Sequence, residues 1–362
     1  MTQDRIHFKG LNGIRGISAL TVVISHSRIE GSGLVISIGE LANHCMTFFF
    51  VLSGFLITYL LFCEKEQRSV DVRKFYIRRI LRIWPLYFAY LAVAVITLFI
   101  YLPDLLPGNL PFYLFFAANV PAMLHYKLFL ISHYWSLGSE EQFYTFWPWL
   151  IKWSKNVLKA LIIFAVAIIG LNLAFKCIQL RTGNIQPLYV MSLLRFETMA
   201  MGGIAALLCL KGHKLFLRIC THPITGIICW LSIAAMAINR FHFLGFLSQD
   251  LTAIVAVALI VNQSHSKHPV LSLENRVCDF LGKISYGIYV IHPLVAFYFS
   301  MWLDHLQLAG KTLAICMYAG TIGITLVIAW LSYEFFEKRF LKLKDKYATI
   351  KNTDTAYRSR FK

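Results

Sequence analysis

Charged residues are scarce in this chain. Asp, Glu, Lys and Arg make up only 15% of its 362 residues, against about 25% in soluble domains. A soluble protein of this size would need a charged surface around its core, and 58% of the residues here are hydrophobic. The composition therefore predicts an integral membrane protein, with the lipid bilayer as its first partner.

Cysteine is present, but in no pattern that carries chemistry. The eight cysteines lie apart in apolar segments without a CxxC pair, which argues against a disulfide framework and against a zinc site. The sequence also lacks an internal repeat and a low-complexity linker. A cleavable signal peptide is not expected, because Arg15 interrupts the first apolar segment and no small-residue cleavage site follows it.

Ten apolar segments approach the roughly 20 residues that cross a hydrocarbon core. Lipid offers the backbone no hydrogen-bond partner, so the segments must be helices, and the predicted fold is an all-α, polytopic membrane protein. The segments are 11–27, 41–63, 83–102, 134–151, 157–176, 189–210, 223–239, 246–263, 284–302 and 312–334. A further stretch, 109–124, is short and interrupted by Pro111, Asn119 and Pro121, and it predicts a re-entrant or interfacial element on the outer side.

The basic residues indicate the orientation. The formal net charge is +17, and most of the Lys and Arg residues fall in segments that are inside when the N-terminus is cytoplasmic. The cations that fall outside are Arg28, Lys127, Lys176, Arg181, Arg240 and Lys311. This asymmetry predicts that both termini are cytoplasmic, and it explains the positive charge without a nucleic-acid partner. We divide the chain into a membrane domain, 1–340, and a basic cytoplasmic tail, 341–362.

Two polar residues stand out in the first apolar segment. Arg15 and His26 are eleven residues apart, which on a helix is about three turns and roughly 16 Å of rise, so both side chains leave one face. Ionisable groups inside a membrane usually face a protein or water-filled interior. The pair predicts a polar chamber in which a neutral imidazole could take a proton from a hydroxyl. Alternatively, Arg15 snorkels to lipid phosphates and His26 bonds a neighbouring helix.

Arginines and glutamates mark two further segments. Arg78, Arg79 and Arg82 lie at the start of the third span, and Arg79 and Arg82 share a helix face that suits phosphate recognition, although topology alone would also place cations there. Glu140 and Glu141 lie inside the fourth span. Adjacent helical positions diverge by about 100°, so only one carboxylate can face the chamber, and we predict that it is Glu141.

For three other motifs, a role in helix packing or pairing is the first interpretation. Small residues at Ser53 and Gly54 favour close helix packing, with a ligand contact as the weaker option. Arg195 and Glu197 can neutralise each other or pair with other helices. His292 precedes a proline, a setting in which a single histidine is usually structural.

In order, these motifs resemble the acyltransferase-3 family of integral membrane acyltransferases. The resembling blocks are LNGIRGISALTVVISH, FFFVLSGFLI, RRILRIWPLYF, YWSLGSEEQFY, ISYGIYVIHP and YEFFEKRF, and together they extend over residues 11–340. The resemblance implies ten membrane helices and transfer of an acyl group, often acetyl, to hydroxyls of cell-surface sugars. Three departures are Asn12 in place of the family's usual acid, Gly138–Ser139 in place of a small residue and valine, and Arg339 in place of a proline.

The resemblance also assigns residues. The family's Arg-x10-His falls on Arg15 and His26, its Arg-x-x-Arg on Arg79 and Arg82, and its tryptophan-to-glutamate block on Trp135, Ser136, Glu140 and Glu141. We therefore expect His26, Glu141 and Arg15 to be catalytic. Arg79, Arg82 and Arg78 are expected to bind acetyl-CoA, or another acyl-CoA, as the donor. Ser53, Trp135, Glu140 and His292 are expected to line the substrate site, with no metal.

The sequence thus predicts a multi-pass O-acyltransferase of the bacterial cytoplasmic (inner) membrane. Its expected acceptor is a surface carbohydrate or a lipid-linked sugar precursor, with a secondary metabolite or a lipid as alternatives. A transporter or flippase of lipid-linked saccharides would also have many helices and a polar chamber, but such proteins often show repeated halves. A non-catalytic assembly partner would not need a buried Arg, His and Glu set.

Overall fold

A computed structural model of the chain describes residues 7–27, 39–105, 110–124, 130–241 and 248–347. All regular secondary structure in these ranges is helical, as the sequence predicts. The α-helices are α1 Leu11–His26, α2 Gly39–Gln67, α3 Val72–Tyr101, α4 Leu110–Leu114, α5 Asn119–Met123, α6 Trp135–Trp153, α7 Val157–Thr182, α8 Gln186–Leu194, α9 Phe196–Leu210, α10 Lys214–Cys220, α11 Pro223–Ala237, α12 Ser248–His265, α13 Arg276–Asp304, α14 Gly310–Ser332 and α15 Lys338–Asp345. A π-helical turn, Tyr333–Glu337, joins α14 to α15.

Six helical segments of the described chain are long and apolar enough to cross a membrane, and the bent pair α10–α11, with an angle of 54°, makes a seventh if it is one span. The six are Leu41–Gln67, Val72–Tyr101, Val157–Thr182, Gln186–Leu210, Arg276–Asp304 and Gly310–Asp345. The chain is therefore a multi-pass membrane protein. Every predicted span falls on a helix or helix pair, but α1 has only 16 residues, and α6 and α12 contain many polar residues. The count of ten spans and the side of the termini stay predictions.

The segment predicted to be re-entrant does not form a span. Residues 110–124 fold into α4 and α5, each five residues long, and residue 109 lies outside the described residues. Arg28, Lys127 and most of the predicted basic tail, residues 348–362, also lie outside them. Helix α15 begins at Lys338 and ends at Asp345, so it crosses the predicted boundary between membrane domain and tail at residue 340.

Glycines allow two pairs of helices to approach closely. In the α1–α13 pair, a Cβ on Gly282 would lie 2.4 Å from the carbonyl oxygen of Asn12. In the α2–α9 pair, a Cβ on Gly54 would lie 1.8 Å from the carbonyl oxygen of Met199. Both distances exclude any side chain, so the packing interpretation of Gly54 is confirmed.

Helices α1 and α13 run in the same direction. Asn12, near the start of α1, donates from Nδ2 to Oδ1 of Asp279 near the start of α13, at 3.3 Å. At the other end, His26 contacts His292. Because Asn12 bonds Asp279, the position that departs from the family motif serves the α1–α13 contact.

Candidate active site

A polar cavity of about 100 Å³ lies between α1, α2, α3, α6 and α13. We call it the arginine cavity. Its polar walls include Arg15, Ser53, Arg79, Arg82, Glu140 and Tyr144. Arg79 and Arg82 thus face one space, as their spacing predicts, and Arg15 joins them from another helix.

Glu140, and not Glu141, lines the arginine cavity. Ser53 Oγ donates to Glu140 Oε1 at 2.9 Å, and the Tyr144 hydroxyl donates to Oε2 at 2.9 Å. Glu141 points instead towards α3, where its Oε2 lies 3.4 Å from Nε1 of Trp84. The prediction that Glu141 faces the chamber is therefore wrong. Adjacent residues of a helix point in different directions, and on α6 it is Glu140 that points into the cavity.

The three arginines of α3 that were predicted to bind the donor have different surroundings. The Arg79 guanidinium lies over two rings, 5.6 Å from the centre of Phe75 and 5.7 Å from that of Tyr144, which fixes its direction. Arg78 instead bonds the buried Glu64, with 3.1 Å between NH2 and Oε2, and donates to the carbonyl oxygen of Tyr347 at 3.0 Å. Arg78 does not line the cavity, so the structure does not bring it together with the other two.

His26 forms a direct contact with His292, and the contact defines where the protons lie. His292 Nδ1 is 2.7 Å from the carbonyl oxygen of Tyr289. A carbonyl oxygen can only accept, so Nδ1 of His292 carries the proton and Nε2 of the neutral ring is an acceptor. That Nε2 lies 2.9 Å from Nδ1 of His26. His26 therefore donates from Nδ1, which leaves its Nε2 with a free lone pair, as a general base requires.

Accessibility separates the two histidines. His292 is 0% exposed, whereas His26 is exposed. His292 is not among the wall residues of the arginine, histidine or Asp304 cavities, so the structure does not bring it to the expected substrate site. The side chain in hydrogen-bond contact with the imidazole of His26 is His292.

His26 lies between two further cavities. The first, about 200 Å³, is lined by His26, His133 and Trp135, and we call it the histidine cavity. The second, about 580 Å³, is lined by His26, His133 and Asp304 among others, and we call it the Asp304 cavity. The imidazole of His26 therefore borders both spaces.

The histidine cavity adjoins the arginine cavity. Met46 and Tyr289 form part of the walls of both. Tyr289 is held in place by its hydroxyl, which donates to the carbonyl oxygen of His133 at 2.7 Å and lies 2.7 Å from Ser136 Oγ. The two cavities thus have two wall residues in common.

No group of three or more His, Cys, Asp or Glu side chains could hold a metal ion within the ranges that the structure describes. His26, His133 and His292 are neighbours, with 5.4 Å between the ring centres of His133 and His292, but they do not form such a group.

Comparison with known proteins identifies the family. A model of the acyltransferase-3 family, described as an acyltransferase domain, matches residues 8–334. The chain belongs to the acyltransferase-3 family. The matched range begins before the first predicted span and ends at the second residue of YEFFEKRF.

Two curated relatives are staphylococcal. O-acetyltransferase OatA of Staphylococcus aureus (strain NCTC 8325 / PS 47) is 24% identical over 360 residues, covering 91% of this chain and 57% of the relative. A protein of S. aureus strain COL, named provisionally as O-acetyltransferase SACOL0978, is 27% identical over 366 residues, covering 93% of this chain and 58% of the relative. The chain therefore spans less than two thirds of the length of these relatives. No solved structure matches the chain.

Three residues in the walls of these cavities are not among the site residues that the sequence predicts: Tyr144, Tyr289 and His133. Tyr289 had a signal, because it precedes His292 by three residues and so shares its face of α13. Tyr144 likewise follows Glu140 by four residues on α6. His133 precedes α6 within the quoted HYWS stretch, but nothing local marks it as a neighbour of His26.

Proposed function

We propose that this protein is a membrane O-acyltransferase that moves an acyl group, with acetyl expected, from acyl-CoA to a hydroxyl of a cell-surface polysaccharide or its lipid-linked precursor. One observation carries the proposal. The arginine cavity and the histidine cavity share walls, and the second contains an exposed imidazole with a free Nε2. Guanidinium groups and a base thus lie along one polar path.

The donor would enter at the arginines. Coenzyme A carries a diphosphate and a 3′-phosphate, and guanidinium groups bind phosphate through paired, charge-assisted hydrogen bonds. Arg79 and Arg82 lie two to three turns into α3, at the end of the bundle where α1 and α13 begin. In the proposed topology this end is cytoplasmic, where acetyl-CoA is found. The pantetheine arm would pass Arg15 and bring the thioester towards His26.

The chemistry at His26 balances as a direct transfer. The acceptor hydroxyl gives its proton to Nε2 while its oxygen attacks the thioester carbonyl carbon. The carbon–sulfur bond then breaks, and the coenzyme A thiolate takes the proton from the imidazolium. A covalent route, in which Nε2 first carries the acyl group, uses the same atom. Arg15, in the wall of the arginine cavity, would hold the coenzyme arm on its way to His26.

The acceptor would approach through the Asp304 cavity. It borders His26 on the side away from the arginines, and its walls include Ser300 and Asp304, which are suited to bonding sugar hydroxyls. With ten spans and both termini cytoplasmic, this cavity opens on the outer face of the inner membrane. The names of the relatives, O-acetyltransferases, support the reaction type.

The test is acetyl transfer in membranes from cells that make only a His26→Ala protein. Labelled acetyl-CoA is supplied, and label in glycan is counted. We expect a loss of at least about 100-fold, because general base catalysis alone contributes that much. His268→Ala, which changes an exposed histidine outside the cavities, is the matched control. Near-normal labelling by the His26 variant at equal protein level would refute the proposal.

The transporter alternative has a separate test. Purified protein in detergent should release coenzyme A from acetyl-CoA when de-acetylated surface glycan is added. A protein that moves lipid-linked saccharides across vesicles but releases no coenzyme A would be a transporter. Mass spectrometry of surface glycans from a deletion strain would then identify the acetylated sugar.

A further inference from the structure

A fourth cavity, of about 480 Å³, has no part in the mechanism above. It lies between α7, α8, the start of α9 and the start of α12. Its polar walls include Asn172, Lys176, Arg195, Glu197, Gln249 and Asp250. We call it the Arg195 cavity.

The break between α8 and α9 builds this cavity. Arg195 has left-handed backbone angles, φ 54° and ψ 27°, and its side chain fixes the break through three hydrogen bonds. Nε donates to the carbonyl oxygen of Ser192 at 2.6 Å, and NH1 donates to Thr47 Oγ1 at 3.0 Å and to Gln249 Oε1 at 2.6 Å. Arg195 thus pairs with α2 and α12, as one of the two sequence interpretations predicts.

Two acceptor atoms of the cavity walls are left without a partner. Glu197 is only 4% exposed, and its Oε2 has no hydrogen-bond partner among the described residues. The buried Oδ1 of Asn172 has none either. A buried acceptor without a donor is unfavourable, so both atoms suit a ligand that brings hydroxyl or amide hydrogens.

The charges of the cavity exclude one ligand class and favour another. Two cations, Lys176 and Arg195, are balanced by two carboxylates, Glu197 and Asp250, so a phosphate would meet as much repulsion as attraction. Carboxylates, amides and a guanidinium beside a tyrosine ring, Tyr189, are instead groups that bond sugar hydroxyls and pack against a sugar face.

The cavity also lies next to the proposed reaction site. Tyr189 lines both the Arg195 cavity and the histidine cavity. The histidine cavity in turn shares His26, Ser132 and His133 with the Asp304 cavity. The histidine cavity therefore borders the Arg195 cavity at Tyr189 and the Asp304 cavity at His26.

We propose that the Arg195 cavity is a second acceptor subsite, which binds a sugar residue adjacent to the one that is acylated. The inference rests on the proposed function. It implies that the preferred acceptor is an oligosaccharide or polymer, and that Glu197 and Asn172 determine the preference for length.

The experiment compares acceptors of different length. Surface glycan from cells that carry the protein is de-acylated with mild base, partially hydrolysed and fractionated into one, two and three or more sugars. Acetyl transfer from labelled acetyl-CoA is measured for wild type, Glu197→Gln and Asn172→Ala. Glu66→Gln, an exposed carboxylate on α2, is the matched control.

We expect wild type to prefer fragments of two or more sugars. Both cavity variants should lower kcat/KM for these fragments about tenfold, as loss of one buried hydrogen bond predicts, and leave the single sugar unchanged. Asn172→Ala lies on the peripheral helix α7, so it remains informative if Glu197→Gln does not fold. Equal effects of the variants on all lengths, or no preference for length in wild type, would overturn the subsite. If wild type acetylates no fraction, the proposed polysaccharide acceptor is wrong, and the subsite is wrong with it.

Discussion

The hydrogen bond between His26 and His292 makes the sharpest prediction. In His292→Phe the ring keeps its shape, but Nδ1 of His26 loses the acceptor that lies 2.9 Å away. Both neutral tautomers of His26 then compete, and only one presents a basic Nε2 to the acceptor. In His292→Gln a side-chain amide can replace both roles, since its oxygen accepts and its nitrogen donates.

The size of the effect follows from what is lost. A neutral hydrogen bond contributes about 1 kcal/mol, or roughly fivefold in rate, to the active tautomer. Loss of the fixed ring direction adds to this, because small misplacements of a catalytic group can lower rates about 100-fold. We expect kcat of His292→Phe to fall by about 10- to 100-fold, with most of the activity kept by His292→Gln.

The assay measures kcat and KM for acetyl-CoA separately in purified protein. KM should not change, because Arg79 and Arg82 lie in another cavity. A merely structural role would lower the amount of folded protein and affect both variants alike. If His292→Phe keeps kcat within twofold of wild type, the assignment of protons derived from the structure is refuted.

Two further predictions concern the arginine cavity. Arg79→Gln and Arg82→Gln should each raise KM for acetyl-CoA about tenfold, the loss expected for a charge-assisted hydrogen bond. Arg78→Gln should leave KM unchanged and lower thermal stability, because it removes the ion pair between Arg78 and the buried Glu64. An unchanged KM for acetyl-CoA in the Arg79 and Arg82 variants would exclude this docking site. Glu140→Gln should lower kcat/KM more than Glu141→Gln, because only Glu140 lines the cavity, and the reverse order in the same assay would contradict its placement.

The interior positions of several polar side chains could be predicted, because a charged group facing lipid is unfavourable. Arg15 and His26 interrupt an apolar helix, and Arg79 and Arg82 share a face, so the sequence predicts that they line an interior space. The structure places all four in cavity walls. The helical positions were also predictable, because their apolar lengths match a bilayer.

Neighbours across helices were not predictable from the same information. The choice between Glu140 and Glu141 depends on the rotation of α6 relative to its neighbours, and in the structure Ser53 of α2 bonds Glu140. The contact between His292 and His26 could not be predicted, because nothing near either residue in the sequence marks the other as its neighbour. That approach depends on the α1–α13 glycine contact, which only the packed structure contains.

The position of His26 between two cavities has a consequence for the consumption of the acyl donor. If the donor thioester and the acceptor meet at His26 as proposed, water in the Asp304 cavity would compete with the sugar hydroxyl for the acyl group, because His26 also lines that cavity. The proposed mechanism therefore predicts a slow hydrolysis of the thioester when no acceptor is present.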